Sequence, residues 1–415
     1  TESLPVRYLI YANNLSGTFS QVNETHANYN GASVFMYVQG HKQNPVSLTI
    51  AAPKGWRVIN GAVDALGQTS FRFDNYDLLI DTPTEVGDFK LAEFEHRGRV
   101  YRVALHALAD FDRMTELVES IRKIVVYQTS IFGDPDFKHY TFILHLVSPS
   151  GPSDGMEHLN STQVIGRNLE DLVETCSHEF FHLWNVKRLR PAGIGPWDYT
   201  REFYTRSLWI SEGLTSFYGD ISLARSQVWT RSRYYHALAQ EVMTLQSRPA
   251  RRFMSLELSS WDTWLFLGVG HKQETNQFNS TISYYNKGHL VGLLLDLEIR
   301  HCTGSRRSLD DVFRDLYERF YLKAPRESYY LKGRGFKDED FLEAASRAAG
   351  KNLSDFFRSY VSGTEELDYQ KYLSYAGLKL VVTGEHYSIQ EDAEATAEQK
   401  ELRDLWLKGQ VKELR

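Results

Sequence analysis

The stretch Cys176-Ser177-His178-Glu179-Phe180-Phe181-His182-Leu183-Trp184-Asn185 decides how the rest of the chain is read. It contains His-Glu-x-x-His. A helical residue advances by about 100°, so histidines four apart share one face and can share one metal ion. The glutamate after the first histidine then stands beside a water on that metal. Chance alone would place the pattern about 0.03 times in a chain of this composition. The surroundings must therefore carry the reading.

They favour a helix. Residues 169–186 hold no Gly or Pro, and Leu169, Leu172, Val173, Cys176, Leu183 and Val186 fit a helical stripe. Asn168 suits an N-cap, and Glu170 and Asp171 place negative charge in the first turn. Lys187, Arg188 and Arg190 suit the other end, where Pro191 would stop the helix.

The totals describe a globular chain. It has 415 residues, 42% hydrophobic and 24% charged, which suits two or three domains with real cores. A net charge of −6 gives no sign of nucleic acid or an anionic membrane as partner. No apolar run approaches the ~20 residues of a membrane span. Two cysteines, Cys176 and Cys302, are too few for a disulfide framework, and Cys176 reads as a small core residue. No leader is read at Thr1, so the expected compartment is the cytoplasm, with the periplasm as the alternative.

Taken in order, residues 1–108 read as a β-rich, sandwich-like domain. Arg7–Tyr11, Ser33–Val38, Ser47–Ile50 and Val100–Leu105 are short, β-branched or aromatic, and separated by turn signals. Asp74, Asp77 and Asp81 read as turn and edge residues. From about Ala109 the period becomes helical, through Phe111, Met114, Leu117 and Ile121. Tyr140–Val147 reads as a buried strand, and Met156–Ile165 as one further strand. Helices are expected at 201–226, 231–246, 287–301, 308–322, 338–349 and 353–361, with a terminal helix over 391–415. The fold class is therefore α+β, with a mainly α domain with a small sheet over 109–380 and a C-terminal tail over 381–415.

A catalytic zinc usually takes three protein ligands and keeps one position open for water. Glu212 lies among Trp209, Ile210, Leu214 and Phe217. A carboxylate in such company is costly unless it is paired or bound to a metal. Beside His178 and His182 it reads as the third ligand of one zinc ion.

These residues carry a resemblance. His178-Glu179-Phe180-Phe181-His182 with Trp184-Asn185-Val186-Lys187-Arg188-Leu189-Arg190-Pro191 resembles the glycyl aminopeptidase family of zinc metallopeptidases. Trp209-x-x-Glu212-Gly213-x-Thr215 is similar to that family's third-ligand helix. Gly155-Met156-Glu157-His158 resembles its version of the Gly-x-Met-Glu-Asn element, and Tyr284-Tyr285-Asn286-Lys287-Gly288 its Tyr-x-Lys-Gly element. Phe356–Thr364 and Tyr375–Leu378 resemble its C-terminal signatures. The family's PDZ-like module has no room in the residues after Leu380, and His289 stands where a small residue is more usual.

The resemblance implies a thermolysin-like catalytic domain and a set of roles. Glu179 would be the general base. Tyr285 would donate its O–H to the oxyanion, with His289 as the alternative donor. Glu157 would bind the free α-ammonium of a peptide substrate, with Gly155, Met156 and His158 lining the same site. The implied activity is a zinc aminopeptidase acting on small N-terminal residues such as Gly or Ala. Its rivals are an endopeptidase on the same scaffold and a catalytically silent peptide-binding protein. The sequence does not set the oligomeric state.

Overall fold

The computed structural model describes residues 4–107, 111–266 and 274–409. The expected switch to helical period near Ala109, the 108/109 boundary and residues 410–415 of the terminal helix lie outside them. The chain forms two compact units, residues 1–119 with 136–180, and residues 120–135 with 181–415.

The first unit is β-rich. Strands β1 (Ser20–Val22), β2 (His26–Tyr29), β3 (Val46–Thr49), β4 (Arg57–Asn60), β5 (Ser70–Phe73), β6 (Thr84–Gly87), β7 (Lys90–His96), β8 (Arg99–Ala107), β9 (His139–Leu146), β10 (Asp154–Glu157) and β11 (Ser161–Gly166) follow in order. β1-β2-β6-β4 form an antiparallel sheet, and β3 pairs β5. The second large sheet has the order β10-β11-β9-β8-β7. Its centre is parallel, β8 with β9 and β9 with β11. Both central strands are buried almost throughout, as parallel strands require. This sheet contains strands from both sides of position 108.

Two expected strands are absent. Arg7–Tyr11 and Ser33–Val38 form no strand; Tyr8 instead donates its O–H to the Val34 carbonyl, 2.9 Å away. The single strand expected over Met156–Ile165 is a hairpin, because Asp81 holds its turn. His158 Nδ1 lies 2.9 Å from Asp81 Oδ1, and the Leu159 N–H donates to Asp81 Oδ2 at 3.2 Å.

The helix of the His-Glu-x-x-His stretch runs Leu169–Phe181. Its start is as the sequence implies: Asn168 accepts from the Asp171 N–H at 2.8 Å. Phe180 presses it onto β8 and β9, edge-on to Tyr140 at 5.1 Å and to Tyr101 at 6.1 Å. It ends five residues earlier than expected, and Pro191 is not the cause. The N–H groups of Trp184 and Asn185 both turn back to the Phe181 carbonyl, and Val186 takes a φ of 121°.

Among the described residues the second unit is helical apart from one hairpin. Helices Arg231–Gln246 and Asp338–Ala349 match expectation residue for residue. The predicted 201–226 helix begins only at Trp209, as a π-helical turn Trp209–Gly213 that leads into Leu214–Arg225. The π-helical turns Glu318–Leu322 and Arg358–Ser362 likewise end shorter helices. A hairpin, β12 (Leu378–Thr383) with β13 (His386–Glu391), stands across the 380/381 division, and the terminal helix starts only at Ala397. The long helix Tyr284–Thr303 is buried on nearly every side, the pattern of a helix inside a core. Among the described residues no helix is long and apolar enough to cross a membrane.

Candidate functional site

In the first unit the motif helix and β10 bring two carboxylates together. Glu179 is buried, at 6% exposure, while Glu157 on β10 is half-buried. Their oxygens lie within 4.8 Å of one another. Gly155 makes this possible. A side chain there would place its Cβ 2.3 Å from Glu179 Oε1 and 2.7 Å from the Thr175 methyl. Met156 stands half-buried beside it, and its carbonyl accepts from Thr162 Oγ1 at 2.9 Å. His158 is buried and tied to Asp81, so its described contact lies in the turn of the hairpin. His178 is half-buried one helical turn before His182. Cys176 is buried completely, and burial pushes its thiol well up, with the Glu179 charge adding to it. It is a packing residue, as its surroundings in sequence suggested.

In the second unit His182 and Glu212 face each other. His182 is buried, and its Nδ1 lies 2.8 Å from the Asn185 carbonyl. A carbonyl only accepts, so Nδ1 is the ring's donor and, in the neutral ring, Nε2 carries the lone pair. That lone pair points at Glu212 Oε2, 3.2 Å away. Two acceptors at that distance repel unless a cation stands with them, either a proton on the ring or a metal ion. A ring N–H held by a backbone carbonyl, with the other nitrogen presented for ligation, is how histidines at metal sites are oriented. The residues therefore fit a metal, and imidazole with carboxylate is a donor set that suits zinc.

Asn185 was quoted in the motif without a role. Its amide donates to the carbonyls of Ile210 at 2.8 Å and Ser211 at 3.2 Å, and to Thr215 Oγ1 at 3.0 Å. One side chain thus fixes the turn that orients His182 to the π-helical turn that carries Glu212. Such turns concentrate at functional sites. Trp209, Ile210, Leu214 and Phe217 are all buried, so the apolar setting of Glu212 read from the sequence is real.

The start of helix Tyr284–Thr303 lies against the same turn. A Cβ on Gly213 would stand 2.5 Å from Gly288 Cα and 2.5 Å from the Tyr284 carbonyl. Tyr284, which the sequence reading passed over, is buried, and its O–H lies 3.1 Å from Thr263 Oγ1. Burial pushes its phenol up to about 12, and the Glu212 charge adds to the rise. Tyr285 stacks on it, centroids 4.9 Å apart, and keeps 39% of its surface open. His289 is buried, edge-on to Phe217 at 6.0 Å.

Comparison with known proteins bears on this geometry. Residues 171–291 match the family model of the M61 glycyl aminopeptidase, and residues 1–88 that of the Peptidase M61 N-terminal domain. No curated protein matches the chain. Among solved structures, an aminopeptidase N family protein from Idiomarina loihiensis superposes with a TM-score of 0.81 at 28% identity. The match covers 89% of this chain and 64% of that one, so this chain spans less than two thirds of its relative. A yeast LTA4 hydrolase solved with bestatin gives a TM-score of 0.49 at 13% identity, over 84% of this chain and 50% of that one.

Proposed function

We propose, since this chain belongs to the M61 glycyl aminopeptidase family, that it is a zinc-dependent aminopeptidase removing small N-terminal residues, Gly or Ala, from peptides. The observation that carries the reading is the His182 imidazole, locked by Asn185 with its lone pair toward Glu212. His178, His182 and Glu212 would hold the ion. When bound, it supplies Lewis-acid polarisation of the scissile carbonyl and of a water. Glu179 takes the proton of the attacking water and passes it to the leaving amine. Gly155 leaves that carboxylate its place, which a Cβ there would occupy. Tyr285 donates its O–H to the oxyanion of the tetrahedral intermediate. Glu157 accepts from the substrate's α-ammonium, a desolvated cation that needs a fixed anion at that end.

The test has two parts. Protein purified without added metal should carry roughly one zinc per chain, and Glu179→Gln should keep it while kcat falls by ~10²–10⁴. Free Gly- and Ala-peptides should exceed their N-acetyl forms by up to ~10⁴, because the blocked end leaves Glu157 unpaired. Glu157→Gln should lose most of that preference. Equal cleavage of blocked and free peptides by the wild type would replace this reading with an endopeptidase.

A further inference from the structure

The second unit holds a cavity of about 350 Å³ beside Tyr285. Its walls include Arg248, Thr263, Gln277, Phe278, Tyr284 and Tyr285. Every group in that set is neutral except Arg248. The arginine follows helix Arg231–Gln246, and its backbone is held on both sides. Its N–H donates to the Leu245 carbonyl at 3.0 Å, and its own carbonyl accepts from Arg251 Nη1 at 3.1 Å. Its guanidinium lies over the Phe278 ring, 4.4 Å from the centroid.

This contact is a cation over an aromatic ring, and the ring offers the guanidinium N–H groups no carboxylate to pair with. A guanidinium carries pairs of parallel donors, the geometry that a carboxylate meets with both oxygens. The neighbouring Arg251 is already engaged with Glu366 at 3.1 Å. Arg248 is in no ion pair with a carboxylate of the described residues.

We infer that this cavity is a subsite for a carboxylate on the leaving part of the peptide, with Arg248 as the residue that selects it. The inference rests on the reading of Tyr285 as the group at the scissile carbonyl. An aminopeptidase for Gly or Ala meets no carboxylate in the residue it removes. A carboxylate that enters a cavity walled by Tyr285 must therefore come from beyond the scissile bond. Two sources share that chemistry: the C-terminus of a short peptide, and an Asp or Glu side chain in a longer one.

The experiment reads ratios of kcat/KM, which do not depend on how much of a variant is folded. One arm compares Gly-Ala-Gly with Gly-Ala-Gly amide; the other compares Gly-Glu-Gly amide with Gly-Gln-Gly amide. The wild type should favour the carboxylate by ~10-fold or more in one arm, mainly through KM, as a charge-assisted hydrogen-bonded pair provides. The arm that responds identifies the source. Arg248→Met keeps the apolar stem over Phe278 and should bring that ratio near one, and Arg248→Glu should invert it. A wild-type ratio below about twofold in both arms, or a ratio that survives in Arg248→Met, overturns the inference. Glycyl anilide, which has no leaving-side carboxylate, separates the two failures. If the wild type does not cleave it and Tyr285→Phe changes nothing on any substrate, the underlying reading of the site has failed instead.

Discussion

Two of the imidazole and carboxylate assemblies among the described residues differ in how their rings are set. In the second unit His182 gives its N–H away to the Asn185 carbonyl and turns a lone pair toward Glu212. In the first unit Glu85 sits between His26 and His145, each with a ring nitrogen 2.9 Å from one of its oxygens. His26 Nε2 in turn lies 3.1 Å from Gln21 Oε1, and each oxygen of Glu85 meets one imidazole nitrogen within a polar cluster. His106 joins by stacking on His26, ring centroids 4.1 Å apart and planes 3° from parallel. His26, Glu85 and His106 offer ligand atoms within 4.8 Å of one another, a closeness that among the described residues would suit a metal group. Parallel rings cannot converge on one ion, however: an ion in the plane of one ring lies well out of the plane of the other. The setting of the rings, not the residue list or the closeness, separates the two.

The strongest way to break this contrast is to make the same change in both. Glu212→Gln should abolish bound zinc and activity together while thermal unfolding of the first unit stays put. Glu85→Gln should leave the zinc in place and cost about 3–5 kcal/mol of stability, the loss expected when one partner of a buried ion pair is removed. Denaturant melts with metal analysis on both variants would check this. If Glu85→Gln released a metal ion, the first cluster would be a metal site and the contrast would fall.

A smaller effect sharpens the role of Asn185. Asn185→Ala keeps the backbone carbonyl behind His182 but removes the amide ties that place it, and should weaken zinc binding by ~10–100-fold, the range for losing support of a ligand. Competition with a chelator measures it, and an unchanged affinity would reduce Asn185 to a structural tie.

The smallest effect is a pH slope. Burial alone would raise the Glu85 carboxyl, but His145 and His26 outweigh it and hold the group down from 4.5 to about 2. A carboxyl lowered on folding stabilises the fold above its unfolded value and loses that contribution as pH falls toward 2. His106 works in the same direction. Burial first, then the His26 charge, lowers it from 6.5, so protonation below that pH favours the unfolded state. Stability of the first unit should therefore decline below about pH 6.5 and most steeply between 4.5 and 2. Glu85→Gln should lack the lower part of that slope; an identical profile would mean the cluster does not titrate with folding.

The sequence showed most clearly what is local. Histidines four apart on a helix, a capping Asn168 and a glutamate in apolar company are all matters of a few residues. The helix ended at Phe181 although nothing before Pro191 forbids its continuing, because Asn185 is bonded to Ile210, Ser211 and Thr215. Tertiary bonds overrode propensity there. The Glu85 cluster draws on positions 26, 85, 106 and 145, which only strand pairing unites. Arg248 is likewise brought to Tyr285 by packing. The hairpin over 378–391 was a missed signal: Leu378-Lys379-Leu380-Val381-Val382 and Tyr387-Ser388-Ile389 flank a Gly384 turn in the strand pattern.

The facing pair Gly213 and Gly288 has a consequence for how the protein can vary. At each position the nearest atom to an added Cβ is the other glycine's own Cα, 2.5 Å one way and 2.8 Å the other. Most damaging substitutions can be rescued by trimming the side chain they strike, but here nothing is left to trim. A saturation library should find both positions intolerant, even to alanine, with no second-site suppressor at the partner. Neither glycine has a side chain to offer the chemistry, yet a selection for activity would rank them with Glu179. Their fixity would record a backbone crossing that has no alternative route.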